Sequence, residues 1–361
     1  MRVAVVIGTR PELVKMATVV FALEEARAEV LLVHSGQHYD ESLSGSFFRD
    51  LGLRNPDHYL GVGSGSQAVQ TAACMVALEK VLLENPCDMV LVQGDTNTVL
   101  AGALTGVKMG VPVGHVEAGL RSHDRRMPEE YNRRVADHVS HLLFAPTEGS
   151  ADILRGEKVW GKTFVTGNTV IDACERFGAL AEEKTSIMEH VPFQEFILLT
   201  AHRAENVDDP VVLGSLVDII ENSPLPVVYP VHPRTRKSLE KEGLWARLSS
   251  CSNILLLPPA GYFDFLALMR HCRFILTDSG GIQEEATAPS IRKRVLVFRD
   301  NTERPEAVEA GYARIVGTSS ENVLRALQEE MDASSPSAGS PFGDGEASRR
   351  IADIVLQEMK E

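Results

Sequence analysis

The chain has 361 residues, 44% of them apolar and 24% charged, which exceeds one ordinary core and predicts two domains. Its 36 basic and 50 acidic residues give a formal net charge of −14, the wrong sign for gripping nucleic acid by counterion release. The chain enters a strand at once, without a basic and apolar leader, and holds no apolar run near the ~20 residues that span a bilayer, so a cytoplasmic protein off the membrane is expected. Cys74, Cys87, Cys174, Cys251 and Cys272 are scattered without a CxxC pair, which suits reduced, buried thiols.

Apolar runs recur in chain order as "RVAVVIG", "AEVLLVHSGQH", "DMVLVQGDT", "VPVGHVEAG", "HLLFAPT" and "TFVTGN", with helical patterns between them. Such runs mark parallel strands covered on both faces. A second series follows Pro192: "FILLTAHR", "LPVVYPVHP", "NILLLPP", "RFILTDSGG", "RVLVFRD" and "ARIVG". The expected fold class is α/β, with two doubly wound, Rossmann-like parallel-sheet domains over 1–168 and 169–345. The boundary is placed in the weakly patterned stretch from Thr169 to Pro192. After the Ser, Pro and Gly-rich loop from Asp332 to Gly345, Ile351, Ile354, Val355 and Met359 recur at helical spacing and predict a terminal helix over about 346–361 that packs back on the first domain.

Ligands of open α/β sheets bind outside the carboxyl ends of the strands. The unusual polar residues fall there: Arg10, His38, Asp95, Thr96, His115, Glu117, Asn168, His202, Arg203, His232, Asp278, Ser279 and Arg304. In "GTRPE", Gly8 permits a turn, Pro11 suits the first helical position, and Arg10 stands at a helix N-terminus where an anion is favoured. The alternative there is a capped helix with a solvated arginine. A nicotinamide site would need G-x-G-x-x-G, which is absent. "LTDSGGIQEEA" repeats the device: Ser279, Gly280 and Gly281 allow close backbone approach to a nucleotide diphosphate, Glu285 could accept from ribose hydroxyls, and Arg304 supplies a phosphate contact.

Asp95 in "QGDTN", Glu117 in "HVEAGLRS" and Glu129 in "MPEEYNRR" form candidate acid/base equipment, in which repulsion and desolvation would lift at least one pKa toward neutrality. Metal binding is the rival reading, but neither H-E-x-x-H nor D-x-D spacing occurs. His202 could hold phosphate or move protons. His232 either meets the ligand or only shapes its His-Pro loop.

In unbroken order, "GTRPE", "SGQHYD", "QGDT", "HVEAGLRS", "PEEYNRR", "HRAEN", "HPRT", "DSGGIQEEA" and "NTERPEA" resemble the non-hydrolysing UDP-N-acetylglucosamine 2-epimerases. The resemblance implies two Rossmann-like domains facing across a cleft, as in glycosyltransferases of the GT-B kind, with UDP-sugar between them. It implies a homodimer and neither nicotinamide nor metal. By position, Arg10, Lys15, His202, Ser279, Gly281, Glu285 and Arg304 would hold the nucleotide and diphosphate, and Phe265 would lie near uracil. Asp95, Glu117 and Glu129, with His202, would be catalytic. The implied route eliminates UDP to 2-acetamidoglucal and adds it back with a proton delivered to the opposite face of C2, so that "GTRPE" holds a leaving group's charge. Ala260 stands where relatives often carry glutamine, "TAPSIRKRV" lacks the usual Lys-Pro, and "YDESLSGSFF" lacks the arginine and glutamines that accompany activation by a second substrate molecule. The alternatives are a UDP-2,3-diacetamido-glucuronic acid epimerase, whose group tends to carry Trp at the position of Arg304, a GT-B glycosyltransferase, and a UDP-sugar sensor.

Overall fold

The computed structural model describes residues 1–36, 47–334 and 336–360. His38 and most of "YDESLSGSFF" lie outside the described residues. The chain divides into two compact units, Met1–Ala173 with Phe342–Glu361, and Cys174–Pro341.

In the first unit, strands β1 (Arg2–Ile7), β2 (Glu29–His34), β3 (His58–Tyr59), β4 (Met89–Gln93), β5 (Val113–Val116), β6 (Leu142–Ala145) and β7 (Lys162–Val165) form one sheet in the order β3, β2, β1, β4, β5, β6, β7. Every pairing is parallel. Its helices are α1 (Arg10–Glu25), α2 (Gln67–Glu84), α3 (Asn97–Lys108), α4 (Pro128–Val139), α5 (Glu148–Glu157) and α6 (Thr169–Lys184), the last running on into the second unit. Buried runs such as Val3 to Ile7 and Met89 to Val92 confirm strands covered on both faces.

The second unit carries β8 (Ile197–Thr200), β9 (Val227–Pro230), β10 (Ile254–Leu257), β11 (Phe274–Thr277), β12 (Val295–Val297) and β13 (Ala313–Ile315), in the order β10, β9, β8, β11, β12, β13, again all parallel. Around it lie α7 (Ala204–Val207), α8 (Pro210–Glu221), α9 (Pro233–Lys241), α10 (Leu244–Ser249), α11 (Tyr262–His271), α12 (Gly280–Glu285), α13 (Pro305–Glu309) and α14 (Ser320–Met331). Its core joins Leu199, Tyr229 and Leu276 from the sheet and Phe298, just after β12, to Leu213, Val217 and Ile220 of α8 and Val323 and Leu327 of α14. Each buried aliphatic or aromatic side chain of this kind contributes about 1.5 to 3 kcal/mol.

The last helix, α15 (Ala347–Glu358), packs on α1 and buries Ile351, Ala352 and Val355. It has no cap of its own. Asp172 of α6 supplies one from a distance, accepting from the backbone N–H groups of Ala347 (3.2 Å) and Ser348 (2.7 Å), while the Ser348 hydroxyl donates to Thr18 of α1 (2.8 Å). Where the sequence reads as weakly patterned from Thr169, the structure has α6. All residues from Asn168 to Cys174 are buried, so no polar stripe marks its first turns.

Candidate active site

In both sheets the strand order reverses beside the first strand of the unit, between β1 and β4 and between β8 and β11. A crevice forms at such switch points because neighbouring crossovers leave toward opposite faces. The Gly8 and Asp95 turns flank the first switch point, and the His202 and Ser279 turns flank the second.

At the first, Gly8 is required by close approach: a Cβ there would lie 2.1 Å from Thr98 Oγ1 and 2.6 Å from Ser35 Oγ. Thr9 stands at the N-cap position of α1, Arg10 is its first residue and Pro11 its second. Arg10 is exposed, with its guanidinium 5.7 Å from the centre of the Phe47 ring. Lys15, one turn further on, donates to Glu117 (2.6 Å), and Gln93 donates to the same carboxylate oxygen. Glu117 is buried and held at φ +68°, in the left-handed region that costs a non-glycine residue about 1 to 3 kcal/mol and persists at functional sites. Asp95 pairs with Arg133 of α4, and its backbone carbonyl accepts from Asn132 (2.9 Å). Glu129 lies half-buried in the first turn of the same helix.

Asp95 and Glu117 therefore each face a cation, where the sequence suggested mutual repulsion. The carboxyl lifted to neutrality is Glu12. It is buried, accepts from the Gly8 N–H at 2.6 Å, and has its pKa pushed from 4.5 to about 7, chiefly by burial, with the charge of Asp95 adding and hydrogen bonds from Thr96, Gly8 and Thr9 opposing. The Gly8 N–H is thus engaged within the turn itself.

A pH dependence follows. Glu12 is neutral in the folded chain up to about pH 7 and in the unfolded chain only to about 4.5, so its contribution to stability is full below 4.5 and lost as pH passes 7. Denaturant melts of wild type and Glu12→Gln should match near pH 4.5, and the variant should gain roughly 3 kcal/mol over wild type by pH 8. A constant difference across that range would rule out a raised pKa.

At the second switch point, the fully buried Asp278 organises the turn after β8: one of its oxygens accepts from the backbone N–H groups of His202 and Arg203, both at 2.9 Å, and from Asn206 Nδ2 at 3.2 Å. The half-exposed His202 ring lies 5.7 Å from that of His232. His232 caps α9, its Nδ1 accepting from the Arg234 N–H at 3.2 Å, as a neutral imidazole must. Burial, then the charges of His202 and Arg234, lower its pKa. Ser279 stands at the N-cap position of α12, with its N–H donating to Thr277 Oγ1 (3.0 Å).

A Cβ on Gly280 would lie 4.0 Å from both the Arg203 and Arg304 guanidiniums and 3.8 Å from Glu303, so two arginines converge on this glycine. Gly281 opens to free space. Arg304 pairs with the buried Glu284, and Arg203 (3.4 Å) and Arg299 (3.5 Å) approach Glu303. Burial opposes ionisation of Glu303, but Arg203, Arg299 and Arg304 together hold its pKa below the usual carboxylate range. Glu285 and Phe265 are half-buried on α12 and α11.

Arg10, Lys15, Asp95, Glu117 and Glu129 belong to the first unit and His202, His232, Phe265, Ser279, Gly280, Gly281, Glu285 and Arg304 to the second, while His38 lies outside the described residues. His115, Asn168 and Asp278 are buried and bonded to neighbouring turns. Sequence reasoning missed the partners Gln93, Arg133 and Glu303, and gave Glu12 no role. The signal for these partners was a polar or charged side chain inside motifs already noted, "QGDTN", "PEEYNRR" and "NTERPEA". Among the described residues, no group of three or more His, Cys, Asp or Glu is placed to hold a metal ion, and no helix is long and apolar enough to cross a membrane.

Two doubly wound units, each with charged turns at its switch point, place the chain among the Rossmann-like α/β proteins, whose ligands bind at such switch points. The model of the UDP-N-acetylglucosamine 2-epimerase family matches residues 21–356. The UDP-N-acetylglucosamine 2-epimerase of Methanocaldococcus jannaschii is 42% identical, over 98% of this chain and 99% of its own. Its crystal structure in complex with UDP-GlcNAc and UDP superposes with a TM-score of 0.87 at 41% identity, covering 99% of this chain and 100% of the other. The UDP-2,3-diacetamido-2,3-dideoxy-D-glucuronate 2-epimerase of Pseudomonas aeruginosa is 37% identical, over 99% of this chain and 100% of its own. The chain belongs to the UDP-N-acetylglucosamine 2-epimerase family, whose activity is that of an isomerase.

Proposed function

We propose that this protein interconverts UDP-GlcNAc and UDP-ManNAc by eliminating UDP to 2-acetamidoglucal and adding it back, using neither nicotinamide nor metal. The observation that carries the reading is the division of charge within one chain. Carboxylates with a strained, buried Glu117 occupy one switch point, and arginines ring Gly280 at the other.

The chemistry needs both. C2 is not beside a carbonyl, so its proton leaves only as the C1–O bond to UDP breaks, with cationic character shared by the ring oxygen. Arg203, Arg304, Ser279 and Gly281 stabilise the departing diphosphate, together with Arg10. Glu285 meets the ribose, and Phe265 the uracil. Asp95, Glu117 and Glu129 remove and return the C2 proton, with His202 assisting. Lys15 pairs with Glu117. The His232 ring lies beside that of His202.

Arg304, at the position where the uronate-specific group tends to carry Trp, favours the neutral N-acetylhexosamine. The diacetamido-uronate is the second reading, favoured by the Pseudomonas relative. Proton NMR of purified protein with each UDP-sugar, EDTA and no added nicotinamide separates them: UDP-GlcNAc should yield UDP-ManNAc. Turnover of the uronate alone would assign the second reading.

We also propose a cytoplasmic homodimer. Val69, Val76 and Leu83 are exposed at seven-residue intervals along α2, an apolar stripe suited to a second copy of the helix.

A further inference from the structure

Asp137 sits near the end of α4, the helix that begins beside Glu129, and is fully buried. One of its oxygens accepts from His115 Nδ1 at 2.7 Å. The other accepts from the backbone N–H of Gly119 at 3.2 Å and from the Arg121 guanidinium at 2.7 Å. On its far side the His115 ring donates from Nε2 to the Gly94 carbonyl, also at 2.7 Å. A carbonyl and a carboxylate can only accept, so both ring nitrogens carry hydrogen and His115 is an imidazolium. Burial opposes that charge, but Asp137 and the Gly94 carbonyl hold its pKa above the ordinary value.

The anchored backbone groups are informative. Gly94 precedes Asp95, and Gly119 closes the turn that begins at Glu117. Gly94 and Gly119 stand at φ +86° and +87°, and the Gly94 N–H donates to the Val116 carbonyl at 3.1 Å. Arg121 continues to Glu157 (2.7 Å), Glu157 to Arg134 (2.7 Å) and Arg134 to Glu130 (3.0 Å), the neighbour of Glu129. The Asp95 and Glu117 turns thus meet at one buried ion pair, borne in part by the helix of Glu129, that has no surface from which to touch substrate.

We infer that Asp137 and His115 are positioning residues, a buried pair that fixes the Asp95 turn and the strained Glu117 turn to the helix bearing Glu129 so that the three carboxylates keep one spacing around C2. The inference rests on the acid/base reading above. Neither residue acts on substrate.

Asp137→Asn, His115→Gln and His115→Ala are to be compared with Asp95→Asn and Glu117→Gln in kcat, KM for UDP-GlcNAc, UDP affinity and thermal melting. Asp137→Asn should lose about 100-fold in kcat, the effect of misplacing catalytic groups by about 1 Å, with KM and UDP affinity kept. His115→Gln, whose amide can still donate to the Gly94 carbonyl, should recover part of the rate that His115→Ala loses. A wild-type kcat per folded molecule in Asp137→Asn overturns the inference. So do equal rates in the two His115 variants, or failure of all three to fold, which would make the pair a stability element only. Normal turnover in Asp95→Asn and Glu117→Gln would instead refute the acid/base reading itself.

Discussion

Asp95→Asn, Glu117→Gln and Glu129→Gln should each lower turnover by about 100-fold or more, the scale of a lost general acid or base, while UDP binding survives. The changes are nearly isosteric, so they remove charge and leave shape. Binding survives because Ser279, Gly280, Gly281, Arg203 and Arg304 all belong to the second unit, whereas the three carboxylates belong to the first. The exchanges also disturb cations: Arg133 faces Asp95 and the mostly buried Lys15 faces Glu117. Melting curves and UDP calorimetry must therefore accompany the kinetics. Folded variants that bind UDP and turn over normally would remove the carboxylates from the mechanism, and variants that only unfold would make them structural.

Arg304→Ala should weaken UDP binding by about 10 to 100-fold, because a charge-assisted contact is worth roughly 1.5 to 3 kcal/mol. It should also destabilise the second unit. The Arg304 guanidinium is the partner of Glu284, which is fully buried, and removing one member of a buried ion pair costs about 3 to 5 kcal/mol. Arg10→Ala supplies the contrast. Arg10 is exposed, so its loss should weaken UDP binding without moving the melting temperature. Unchanged affinity in both variants, measured by calorimetry, would leave Arg10 a solvated surface residue and Arg304 only the structural partner of Glu284.

Much of the fold was legible because parallel strands covered on both faces leave unbroken apolar runs such as Val3 to Ile7. The strand His58–Tyr59 was not, since two residues at a sheet edge carry no pattern. Helix Thr169–Lys184 escaped because its first residues are buried all round. In the site, Arg10, Asp95, Glu117 and Ser279 could be placed from chain position alone, each following a strand by a few residues. Their partners could not. Lys15 meets Glu117 across 102 residues, His115 meets Asp137 across 22, and Arg203 comes within reach of Glu303 across 100. Such pairs exist only after the crossovers have set strand order. Glu12 shows the same limit: its sequence neighbours suggest a solvated first-turn carboxylate, and only the packing of Gly8, Thr96 and Asp95 around it makes a neutral acid.

The central claim is inversion at C2 by proton removal and return, with UDP as the leaving group. Carboxyl protons exchange with solvent, so the hydrogen delivered to the opposite face must come from water. The protein should therefore be given UDP-GlcNAc in D₂O with EDTA and no added nicotinamide, and C1 and C2 followed by proton NMR. The expected result is UDP-ManNAc carrying deuterium at C2, with some free UDP and 2-acetamidoglucal released on long incubation. UDP-ManNAc that retains its original hydrogen at C2 would mean an internal hydride transfer and would contradict the account.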